Sequence, residues 1–178
     1  MKVSMSDFSD HEVSTHLRSG MKIYASQDRA IERALSELYE RCPAQFLMVT
    51  DSSGLLISVH GDRGKIDLIG LGSLIAGDLA ASKEIARFTD QYQSYQMVLR
   101  EGQNSLTVIT EAGHYLVLFA QVSSNVPMGW ARLLIRETAR RLAEIVESPP
   151  EDAEHIDLGI EDNLTDLFDS ALDNLWNG

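Results

Sequence analysis

Few residues of this chain are of a type and spacing that could do chemistry. The loop His60-Gly61-Asp62-Arg63-Gly64-Lys65-Ile66 superficially resembles a GxxxxGK[ST] phosphate loop, whose backbone N–H groups wrap phosphates. Its glycines are wrongly spaced and Lys65 is followed by Ile66 rather than a hydroxyl residue, so it reads as a connection. Structural zinc takes two or more Cys or a tight Cys/His cluster. With one Cys and five scattered His, no metal and no cofactor is expected. Gly54 is not part of a GxSxG elbow, and no Ser, His and Asp are placed as a triad. Cys42 sits on an apolar stripe with nothing nearby to activate a thiolate, so it reads as a core residue. The chain reads as non-enzymatic.

One charged pattern remains. Arg132, Arg136 and Arg140 follow one another at i+4 with Arg141 beside them, and like charges at that spacing cost a few tenths of a kcal/mol each. Two readings stay open: a solvated face partly neutralised by Glu137 and Glu144, or a docking site for an acidic partner. A candidate partner lies in the same chain. In residues 160–176, Leu164, Leu167, Phe168, Leu172 and Trp176 repeat at helical spacing, and Asp162, Asp166, Asp169 and Asp173 take the other side. An amphipathic helix is expected there, docked on its own dimer or on a partner.

The elements that must position these residues follow from periodicity. A first helix is expected from Ser26 as N-cap, with Ala30, Ile31, Ala34, Leu35, Leu38 and Cys42 on one stripe, ended by Pro43. Phe46–Thr50 and Leu55–His60 flank Asp51-Ser52-Ser53-Gly54, where Asp supplies a local hydrogen bond and Gly a positive φ, so they form a hairpin. The second helix, about 68–88, is apolar nearly all round. Gly70, Ser73, Gly77, Ala81 and Glu84 form a small-residue stripe; Leu68, Leu71, Ile75, Leu79 and Ala86 a bulky one; Leu74, Ile85 and Phe88 a third line. One face can lie on a sheet, and the other needs a cover, most simply a second copy of the chain. Strands follow at about 95–100, 106–111 and 115–122, the last apolar on both alternations as a central strand should be. A third helix, capped by Ser124 or Asn125 with Pro127 in its first turn, buries Ala131, Leu134, Ile135, Thr138, Leu142 and Ile145.

Composition narrows the function classes. At 178 residues and 44% hydrophobic content, one globular domain with extensions is expected. The N-terminal residues lack a signal-peptide core and no run reaches a membrane span, so the expectation is a cytoplasmic protein. The net charge of −12 is concentrated after the third helix, since from Glu147 onward there is no Lys or Arg. Nucleic acid and membrane partners are therefore not expected. The domain plan is a flexible leader over 1–23, a domain over 24–147, and an acidic tail over 148–178.

The DSSG hairpin, the helix opening GLGSL, the strands SLTVIT and HYLVLFAQV, and the helix GWARLLIRETARRLAEI together resemble the Roadblock family of dynein light chains and bacterial GTPase regulators. The resemblance covers about residues 24–147 and rests on element order rather than on one motif. It implies an α+β, αββαβββα sandwich of Roadblock/profilin type. In that fold a five-stranded, mainly antiparallel sheet carries the second helix on one face and the first and third on the other. It also implies a homodimer formed through the second helix and the edge strand beside it, acting as a scaffold or regulator of a separate Ras-like small GTPase. Carried onto this sequence, the dimer interface comprises Leu68, Leu71, Leu74, Ile75, Leu79, Tyr95, Met97 and Leu99. Arg132, Arg136, Arg140 and the apolar tail residues stay outside it as a partner or tail docking site. The alternative is a small-molecule sensor or generic scaffold module with a profilin- or PAS-like fold, which would need an internal cavity.

Overall fold

The computed structural model describes residues 15–16, 22–90 and 97–148. Tyr95 and the tail residues Leu164, Leu167, Phe168, Leu172 and Trp176 lie outside the described residues. The elements are β1 (Thr15–His16), β2 (Lys22–Ile23), α1 (Ala25–Arg41), β3 (Ala44–Asp51), β4 (Leu56–Gly61), α2 (Leu68–Phe88), β5 (Met97–Glu101), β6 (Ser105–Ala112), β7 (Leu116–Ser123) and α3 (Met128–Glu147). The last five strands form one sheet in the order β4-β3-β7-β6-β5, and all of its pairings are antiparallel.

Side-chain alternation along the central strands explains the layers. On β3, Leu47 and Val49 join the cluster under α1 and α3, whereas Phe46 and Met48 join the cluster under α2. On β7, Leu116, Leu118, Ala120 and Val122 face α1 and α3, and Val117 and Phe119 face α2. A strand covered on both sides has no polar alternation to show, which is why YLVLFAQV reads as a continuous apolar run. The turn after β3 is held by Asp51, whose Oδ1 accepts from Ser53 N (2.9 Å), Ser53 Oγ (2.7 Å) and Leu55 N (2.8 Å). Gly54 follows at φ +89°, a conformation that favours glycine.

Three boundaries differ from the sequence expectation. Helix α1 begins at Ala25 with Tyr24 as the cap position, so Ser26 lies inside the first turn. The capping contact comes instead from Gln27, whose Oε1 accepts from Tyr24 N (3.1 Å) while its Nε2 donates to Ile145 O (2.9 Å), tying the start of α1 to the end of α3. Helix α3 begins at Met128 after Pro127, because Ser124 and Asn125 take part in the turn leaving β7. Its buried stripe includes Ala139 and Ala143, with Thr138 and Ile145 only half-buried. These small residues let the helix lie close to the β6–β7 turn, where a Cβ on Gly113 would meet Ala143 Cβ at 2.8 Å. Within the stretch read as a leader, Thr15 pairs with Ile23 and His16 with Lys22, and Ile23 is buried in the core.

Candidate interaction surfaces

Helix α2 is seated on the sheet by a narrow strip. Its N-terminus is capped by Asp67, whose Oδ1 accepts from Gly70 N at 3.1 Å. One turn further in, a Cβ on Gly72 would lie 2.2 Å from Gly54 O, so the helix and the hairpin turn touch backbone to backbone. Only Gly72, Ile75, Leu79 and Ala86 of α2 are buried. The charged residues on its flanks are engaged within the protomer. Asp78 pairs with Arg100 of β5, and Lys83 with Glu111 of β6. The Asp78 hydrogen bond holds the Arg100 guanidinium above its ordinary range. Glu84 and Arg87 pair with each other at 2.9 Å.

What α2 leaves outward is apolar. Ile69 is 80% exposed, Leu74 72%, Ile85 63% and Phe88 89%. On a 3.6-residue repeat Ile69 lies on one side of the outward Ser73, Gly77, Ala80 and Ala81, Leu74 and Ile85 lie on the other, and Phe88 is in line with them two turns on, giving a shallow trough with bulky walls. A Cβ at Gly77 would meet nothing within 4 Å, so the trough is open. Beside it runs β5, an edge strand of the sheet.

The expected interface residues divide accordingly. Leu74 is on the outward face, whereas Leu68 and Leu71 are half-buried and pack against the cluster under α2. Ile75 and Leu79 are 1% and 4% exposed. The expectation that these two lose solvent to a second copy is corrected, because their own sheet already covers them. Met97 and Leu99 of β5 are half-buried and pack against the α1/α3 cluster, while Val98 between them packs against the α2 cluster. Ile69, which no stripe of the sequence reading included, completes the outward face. Its signal was its position beside the small-residue stripe and away from the bulky one.

The arginine row also splits. Arg141 turns to Glu37 of α1, whose carboxyl is held below its usual range by that hydrogen bond. Glu137 pairs across to Arg41 at 3.5 Å, and Arg140 pairs with Glu144 on its own helix. Arg136 and Arg140 lie on the opposite flank of α3 from the α1 seam, lining a groove over β6 of about 640 Å³.

The remaining chemistry-bearing residues have structural surroundings. Burial pushes the Cys42 thiol up, His60 packs edge-on against Tyr39 at 4.8 Å, and in the glycine-containing loop Gly64 N donates to Asp62 Oδ1 at 2.9 Å, closing a local turn. Among the described residues no group of three or more His, Cys, Asp or Glu could hold a metal ion, and no helix is long and apolar enough to cross a membrane.

Strand order and the split of helices between the two sheet faces define a Roadblock-like fold. No protein-family model and no curated protein matches the chain. Among solved structures it is similar to the gliding protein MglB of Thermus thermophilus, 21% identical over 70% of this chain and 94% of that one, with a TM-score of 0.64. Myxococcus xanthus MglB is 28% identical over 67% of this chain and 96% of its own, at a TM-score of 0.63. A Roadblock/LC7 domain from Streptomyces avermitilis is 22% identical over 62% and 89%, at 0.51.

Proposed function

We propose that two copies of this chain pair through the outward face of α2 and the adjoining β5 edge. The homodimer then serves in the cytoplasm as a non-enzymatic platform that binds a separate Ras-like small GTPase and modulates its activity or location. The observation that carries this reading is the row Ile69, Leu74, Ile85 and Phe88, each more than 60% exposed on one helix. Isolated exposed apolar residues are ordinary, but four of them around one small-residue trough mark a protein contact. The trough lets a second helix approach closely, and an edge strand beside it can extend the sheet across a two-fold axis. The Roadblock-like fold supports the partner class, since that resemblance implies platforms for Ras-like GTPases.

The sensor reading is less favoured. Leu47, Val49, Val108 and Leu118 on one side of the sheet and Met48 on the other are all fully buried, so bulky side chains fill both layers, and the groove over β6 opens to solvent. The test is capture on the immobilised full chain from native lysate, loaded in parallel with GDP or a non-hydrolysable GTP analogue. The GTPase recovered is then purified and its single-turnover hydrolysis measured with and without this chain. A Ras-like protein retained in one nucleotide state, with an altered hydrolysis or exchange rate, is the expected result. Nucleotide-independent capture with no effect on either rate would leave only a generic scaffold.

A further inference from the structure

The groove beside α3 has features that the α2 surface does not share. It is floored by Thr110 of β6 and by Ala139 and Ala143 of α3, and walled by Leu133, which is 48% exposed. Helices α1 and α3 both lie on this face of the sheet, while β5 at the sheet edge has only half-buried Met97 and Leu99 there. Among the described residues α1 and α3 are the helices on this face.

The groove also has a direction. Glu147, the last residue of α3, lines its far end, so the chain leaves the domain at the mouth of the groove. Residues 133–147 of α3 run along it for about 21 Å at 1.5 Å per residue. Beyond Ser148 the sequence continues through Pro149-Pro150 to the amphipathic stretch 160–176, a matching length of about 25 Å if helical. The intervening residues 149–159 reach roughly 36–40 Å when extended, more than a reversal of direction needs.

The groove's charges are of both signs, Glu111, Glu137 and Glu147 against Arg136 and Arg140. Glu111 and Glu137 are engaged by Lys83 and Arg41, and Arg140 by Glu144. Arg136 and Arg140 line the groove, and Arg132 lies one turn earlier on the same helix. The tail carries Asp162, Asp166, Asp169 and Asp173 and no base.

We infer that residues 160–176 of this chain fold back as a helix antiparallel to α3 and fill the groove of their own protomer. Leu164, Leu167, Phe168 and Leu172 lie on Thr110, Leu133, Ala139 and Ala143, and the aspartates lie in the field of the arginine row. The inference does not depend on the GTPase reading, because donor and acceptor are in one chain. Apolar burial supplies the attraction, and the charges set orientation and salt sensitivity.

The chain has two tryptophans, so Trp130→Phe in the full chain leaves Trp176 as the sole reporter. The expected result is blue-shifted Trp176 emission with several-fold less acrylamide quenching than in a free 160–178 peptide. Both effects should be lost in Leu133→Asp and weakened in Arg136→Glu and by salt. Leu133 is exposed enough for its replacement to leave thermal unfolding of the domain intact, which the same samples report. Hydrogen exchange should show protection over 160–176 that disappears in Leu133→Asp. Peptide-like emission and unprotected amides in the parent would overturn the inference. So would a signal that falls on dilution through the dimer–monomer transition, since that places the tail on the other copy.

Discussion

Leu74 and Ile75 are neighbours on α2 with opposite surroundings, and alanine at each separates association from folding. Ile75 is 1% exposed, so Ile75→Ala opens a cavity under α2 and should destabilise the protomer by about 2–5 kcal/mol. Leu74 is 72% exposed, and removing it should change protomer stability by no more than about 0.5 kcal/mol. In a two-fold dimer the same side chain is buried twice. Leu→Ala removes three carbons at about 0.8 kcal/mol each. Scaled by the 72% still exposed in the protomer, this is about 1.7 kcal/mol per copy and about 3.5 kcal/mol per dimer. At 1.4 kcal/mol per decade that corresponds to roughly a 300-fold weaker dissociation constant. Sedimentation equilibrium over a concentration series reads the association, and urea unfolding at the lowest concentration reads the protomer. An unchanged dissociation constant for Leu74→Ala, or a urea midpoint lowered as far as by Ile75→Ala, would refute the assignment of the outward face.

Glycine substitutions on the same helix should act in opposite senses. Gly72→Ala drives a Cβ into Gly54 O, 2.2 Å away, and should cost about 1–3 kcal/mol. Gly77→Ala meets nothing in the protomer and should stabilise it by about 0.5–1 kcal/mol, while weakening the dimer; urea titration and sedimentation distinguish the two. Asp51→Ala removes the acceptor of the Ser53 and Leu55 bonds and should lower stability by about 1–3 kcal/mol, measured by chemical unfolding. For Cys42 the folded thiol is raised above its unfolded value by burial. Its contribution is therefore complete below the unfolded thiol pKa of about 8.5 and is lost as pH rises toward the folded value. Stability of the parent should fall over that alkaline range more steeply than that of Cys42→Ala.

The parts of the fold legible in the sequence are those with a periodic core. The bounds of α2, the hairpin chemistry of Asp51 and Gly54, and the doubly covered β7 all follow from local pattern. The helix starts were less legible, because their caps depend on tertiary partners. Gln27 caps α1 while also bonding Ile145, more than a hundred residues away in sequence, and no window around Ser26 contains that. The two-residue ladder of β1 and β2 is too short to show a period. For the candidate site, the surplus of apolar surface on α2 was legible but its allocation was not. Leu74, Ile75 and Leu79 are chemically alike, and only the seating of the helix by Gly72 on Gly54 decides which of them faces out.

That seating has a wider consequence. Close backbone contact at Gly72 and ion pairs at Asp78 and Lys83 fix the rotation of α2 about its axis, so the trough at Ser73, Gly77 and Ala81 has one orientation relative to β5. A dimer using helix and edge together needs this, since a rotation of one residue, about 100°, would carry Leu74 away from the outward face. On the other side of the sheet, α1 and α3 are bound to each other through Gln27, Arg41 and Arg141, which leaves the opposite flank of α3 open. The two surfaces lie on different layers and share no residue. Substitutions at Leu74 should therefore leave Trp176 fluorescence unchanged at concentrations where the protomer is folded, and substitutions at Leu133 should leave the dissociation constant unchanged. Coupling between the two readouts would mean that the tail crosses to the α2 face, a geometry in which the α3 groove is not its site.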